Sequence, residues 1–138
     1  MEAAAASTEI RILGWSAALL LGHILVQALS LDLSPDMSVR YLLGPRDAGQ
    51  QPKSAIAGRL LRSLGNMLET YPAFVALALA LAACGRTGGL GAVGATVWIV
   101  ARIAYLGLYL GGVPVLRSLA WLVSIAGLLL MLLRLMVP

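Results

Sequence analysis

Arg59, Arg62, Asn66 and Glu69 follow one another at intervals of three, four and three residues, a spacing that stacks them on one face of a helix. Arg102, Tyr105 and Tyr109 repeat the pattern at intervals of three and four, and Arg117 with Ser118 opens the last apolar stretch of the chain. Arg59, Arg62, Arg102 and Arg117 stand against one nearby acid, Glu69. Arginine cannot shed its charge by losing a proton, so this positive surplus must be hydrated, carried to lipid phosphates by snorkelling, or met by an anion. Guanidinium forks bind carboxylates through paired hydrogen bonds, which makes a carboxylate-bearing ligand the simplest answer. Other chemistries lack parts. His23 and Cys84 are the only residues of their kinds, so an intrachain disulfide, a Cys-x-x-Cys pair, a thiolate metal cluster and the usual nucleophile triads are all excluded, and no metal site is expected.

Each of these residues also has a plainer reading. Arg59 and Arg117, near helix ends, fit snorkelling to headgroups; Arg62 and Arg102 lie deeper and fit it less well. Asn66 fits a bond between helices as well as recognition of a ligand amide. Glu69 is expected to fix Arg62 or Arg102, or to take a ligand amine. Tyr105 and Tyr109 fit an interfacial aromatic belt, and Trp15, Trp98 and Trp121 fit belt or packing positions. His23 and Gln27, one turn apart, are expected to tie the first helix to a neighbour.

The elements that must carry these side chains follow from composition. Of 138 residues, 60% are strongly apolar and only 12% are charged, and mean hydropathy is +0.91. That balance excludes a disordered chain and an ordinary soluble domain. The net charge of +4 includes no basic run interleaved with aromatics, so nucleic acid is not an expected partner; basic residues on a membrane protein set topology instead. Four apolar stretches, about 10–31, 57–83, 90–110 and 115–137, have the length of membrane spans. The chain therefore reads as one all-α domain over 1–138, a four-helix transmembrane bundle. The proline-bearing segment 32–54 reads as a loop, GRTGG (85–89) and GGVP (111–114) read as tight turns, and Pro72 is expected to kink the second helix. A cleavable signal peptide is disfavoured, because the first apolar run is too long and its leading segment nearly neutral.

Lys and Arg counts orient the bundle. Arg40, Arg46, Lys53, Arg59 and Arg62 cluster around the first loop, against Arg11, Arg86 and Arg134 at the other side, which places loop 32–54 and the GGVP turn in the cytoplasm. At about 1.5 Å per residue, Arg62 lies roughly 8 Å and Glu69 roughly 18 Å into the second helix, and Arg102 roughly 12 Å from the end of the third. All of these distances run from the loop side, so three helices bring their polar residues to the same half of the bilayer.

The segment RLLRSLGNMLETYPAF, with Arg62, Asn66 and Glu69 followed by Pro72 and Phe74, resembles the signature helix of the MAPEG family, membrane-associated proteins in eicosanoid and glutathione metabolism. ARIAYLGLY in the third helix and PVLRS at the start of the fourth are similar to the same family, and GPRD at 44–47 resembles the first loop of its small bacterial members. The resemblance implies a homotrimer in the bacterial inner (plasma) membrane, with glutathione between protomers on the cytoplasmic side and a hydrophobic small molecule or lipid as co-substrate. It carries Arg62, Asn66, Glu69, Arg102, Tyr109 and Arg117 over as glutathione-site residues. Tyr105, on the same face, is read with them, and Arg117 and Ser118 are the candidates for stabilising the thiolate. Gly65 and Tyr105 stand where the prostaglandin E synthase branch has an arginine and a histidine, which argues against that activity. The expected function is a glutathione-dependent transferase or peroxidase; the alternative is a non-catalytic scaffold or a carrier of another small anion.

Overall fold

The computed structural model describes residues 7–33, 38, 40, 43–45, 49 and 53–137; most of the loop expected at 32–54, Arg46 and Asp47 included, lies outside the described residues. Four long helices follow one another: α1 (Thr8–Asp32), α2 (Ala55–Ala83), α3 (Leu90–Gly111) and α4 (Pro114–Met136). Each is long and apolar enough to cross a membrane. Ser7 and Ser54 cap α1 and α2 through their hydroxyls, so both helices begin slightly before their apolar runs do. The left-handed Gly112 (φ 72°) stops α3, with the Val113 amide returning to the Leu108 carbonyl at 3.1 Å. Pro114 then starts α4 at a position where no helical N–H is needed. Short turns at both ends of α3 make α2, α3 and α4 an antiparallel series.

In lipid the outside of a bundle is apolar and its inside need not be, because association relies on close packing and polar contacts. Helix α1 shows this directly. Its buried residues are Glu9, Ser16, His23 and Gln27, all polar, while Leu21, Leu25 and Leu29 point outward. Ser16 shares a hydrogen bond of 3.2 Å with the Tyr71 hydroxyl, joining α1 to α2. Between α2 and α3, Phe74 stacks on Trp98 at 3.9 Å and 2°, and Leu81, Ala95, Leu128 and Met131 complete the core. Trp98 is thus a packing residue, whereas Trp15 is exposed on the bundle surface.

Helices α3 and α4 touch backbone to backbone. A Cβ on Gly94 would lie 2.5 Å from the Gly127 carbonyl oxygen, and one on Gly127 would lie 2.7 Å from that of Gly94, so only glycine allows this approach. At the same end of the bundle, Glu9 accepts a hydrogen bond of 2.7 Å from the Gly88 amide and ties α1 to the turn before α3. Helix α2 continues through Pro72 as one element; the missing N–H leaves the Leu68 carbonyl without its helical donor.

Candidate functional site

Helix α2 faces the C-terminal half of α3 through a ladder of polar contacts. At the first rung Arg59 donates to the Leu110 carbonyl at 2.8 Å, where the end of α3 presents carbonyls without helical donors. Its guanidinium lies against Gly112: a Cβ there would come within 2.9 Å of it. Next, Arg62 Nε donates to the Tyr109 hydroxyl at 3.2 Å. Deeper, Arg102 donates from one terminal nitrogen to Asn66 Oδ1 at 2.8 Å and from the other to Thr70 Oγ1.

Helical geometry explains how this face divides. At about 100° per residue, Arg59, Asn66 and Thr70 fall within about 40° of one another, while Arg62 and Glu69 are turned about 40–60° from Asn66 to the other side. The first set faces α3. The second set is exposed on the surface of the single chain.

Tyr109 stands between two cations. Its hydroxyl accepts from Arg62, and the Arg117 guanidinium lies over its ring, 4.5 Å from the centroid. Tyr105 packs against Tyr109 at 5.5 Å. Together Asn66, Tyr105, Tyr109, Arg117, Ser118 and Trp121 line a cavity of about 240 Å³ between α2, α3 and α4. It is walled by neutral donors and acceptors with a guanidinium at one side, which suits a polar anionic ligand. A separate apolar groove of about 400 Å³ lies on α3 and α4, lined by Val97, Val100, Ala101, Ala104, Ala120 and Val123 among others.

Most of the expected residues therefore come together, in three different settings. Asn66, Tyr105, Tyr109, Arg117 and Ser118 line the cavity. Arg62 reaches it through Tyr109. Arg102 lies behind it, 2% exposed, with both terminal nitrogens committed to Asn66 and Thr70. Glu69 does not fix Arg62 or Arg102 by a hydrogen bond or an ion pair among the described residues; it acts on Arg102 and Tyr105 only through space, because its turn of the helix carries it outward. The Ser118 hydroxyl donates to the Pro114 carbonyl of its own helix at 3.0 Å. Thr70 and Tyr71 escaped the sequence reading. Thr70 could have been found, since it lies one turn beyond Asn66 on the same face. Among the described residues no cluster of three or more His, Cys, Asp or Glu could hold a metal.

Searches of curated proteins and of solved structures returned no match. A family model does match, the MAPEG family, over residues 12–137. That range takes in almost all of α1 and the whole of α2, α3 and α4, together with every residue that lines the polar cavity, and the chain belongs to the MAPEG family.

Proposed function

We propose that the protein is a glutathione-dependent membrane transferase or peroxidase, and that the polar cavity receives the thiol tripeptide. The observation that carries this reading is the convergence on Tyr109, which lines that cavity, of Arg62 at its hydroxyl and Arg117 over its ring. Glutathione carries two carboxylates, an ammonium and a thiol, and two fixed guanidinium groups suit the carboxylates and a thiolate. A cation beside sulfur favours the thiolate, which is the nucleophile. In a transferase step the sulfur lone pair forms a C–S bond to an electrophilic carbon, and the leaving group departs with its electron pair. The apolar groove on the same two helices offers a surface to hold such an electrophile within the bilayer.

Arg62 and Glu69 also bear on assembly. Both are exposed on the single chain within a membrane span, and charges facing hydrocarbon are costly. A neighbouring protomer that covers this flank of α2 would shelter them, so we assign the site to the contact between protomers of a homotrimer, on the cytoplasmic side.

Calorimetric titration of the purified protein in lipid nanodiscs tests the reading. Wild type should bind glutathione, and Arg62→Ala and Arg117→Ala should each weaken binding by about tenfold or more, as expected for loss of a charge-assisted hydrogen bond. Absence of binding by wild type at millimolar glutathione would sink it. A second reading, a non-catalytic scaffold or carrier of another small anion, draws support from Ser118, whose hydroxyl proton is engaged by Pro114; it predicts anion binding without thiolate formation.

A further inference from the structure

Of six buried polar side-chain atoms without a hydrogen-bond partner among the described residues, three stand on three different helices beside one another: His23 Nε2 on α1, Ser63 Oγ on α2 and Arg102 Nε on α3. Their side chains are 5%, 1% and 2% exposed. Each unpaired group of this kind carries a desolvation cost. All three residues line one small cavity, whose remaining walls are Leu19, Met67, Tyr105 and Leu106. The cavity measures about 10 Å³, the room of roughly one water-sized sphere.

Size and chemistry agree. We propose that this cavity binds a single ordered water that links His23, Ser63 and Arg102, and that His23 and Ser63 are positioning residues for the Arg102 guanidinium. A neutral imidazole with its proton on Nδ1 leaves Nε2 as an acceptor. Arg102 Nε can only donate, and Ser63 Oγ can do either. One water satisfies the set: it accepts from Arg102 Nε–H, donates to His23 Nε2 and shares its third bond with Ser63. Three bonds are the usual number for a buried water. Arg102 is then held at each of its three nitrogens, by Asn66 and Thr70 at the terminal nitrogens and by the water at Nε. Since Asn66 also lines the larger polar cavity, helix α1, which contributes nothing to that cavity's wall, gains a part in shaping it. The effect on ligand affinity rests on the glutathione reading; the water site itself does not.

His23 is the only histidine, so protein labelled with ¹⁵N-histidine gives an NMR probe of this one ring. In bilayers, Nε2 should resonate as an unprotonated, hydrogen-bonded nitrogen that receives magnetisation from water; an Nε2 without water contact overturns the site. His23→Leu should shift the Arg102 Nε resonance, and His23→Gln, which restores an acceptor at similar reach, should return it towards its wild-type place. An Arg102 resonance indifferent to both substitutions overturns the positioning role. If wild type binds glutathione, His23→Leu should weaken binding by about tenfold and His23→Gln should recover most of the loss. If wild type binds none, the glutathione reading fails and the water contact at Nε2 still decides this proposal.

Discussion

Tyr109 gives Arg62 a hydroxyl to bind and Arg117 a ring face to lie over, and two substitutions separate these roles. Tyr109→Phe keeps the ring and loses the acceptor; titration should show glutathione binding weakened by about tenfold or more, the value of a hydrogen bond to a charged group. Tyr109→Leu also removes the ring and should cost a further several-fold. Equal binding by all three proteins would remove Tyr109 from the site. Arg102 behaves differently, because its terminal nitrogens are already committed inside the protomer. Arg102→Leu leaves Asn66 and Thr70 without their donor and should lower stability by about 1–3 kcal/mol. Arg102→Lys should rescue little, since an ammonium cannot span both partners. Thermal unfolding in detergent distinguishes this from an arginine that merely snorkels, whose replacement by leucine would raise stability.

The face of α2 was legible in the sequence as a set of polar residues at helical spacing, and its division was not. A spacing of three or four residues places side chains on the same side within about 60°, but one flank of that arc faces α3 and the other faces outward. Glu69 and Thr70 are neighbours in sequence and fall on opposite flanks, which is why Thr70 rather than Glu69 holds Arg102. The four spans were readable because hydropathy and length alone define them. The inward polar stripe of α1 was only partly readable: Ser16 and His23 look like isolated polar residues until Tyr71 is placed beside the one and Ser63 and Arg102 share a cavity with the other. The close approach of α3 and α4 depends on Gly94 and Gly127, neither of which stands out among 15 glycines. Gly127→Ala puts a methyl group against the Trp98 backbone and the Gly94 carbonyl, both under 3 Å away. It should destabilise the protein by about 1–3 kcal/mol, the usual cost of overpacking, seen as an earlier unfolding midpoint in detergent.

The assembled protein offers its own tests of topology and stoichiometry. Cys84 is the only cysteine, lies exposed between α2 and α3, and sits at the end of the bundle away from the arginine ladder. With the ladder in the cytoplasmic half, a membrane-impermeant thiol reagent applied to intact spheroplasts should label Cys84. Labelling only after permeabilisation would reverse the orientation. Native mass spectrometry from mild detergent should find three chains; a monomer would leave Arg62 and Glu69 facing lipid and remove the proposed site between protomers. The most direct test of the account is the state of the sulfur. Ultraviolet difference absorbance of glutathione bound near neutral pH should show the thiolate with wild type and lose it with Arg117→Ala, whereas glutathione bound to wild type with no thiolate absorbance would contradict the activation of the thiol at this site.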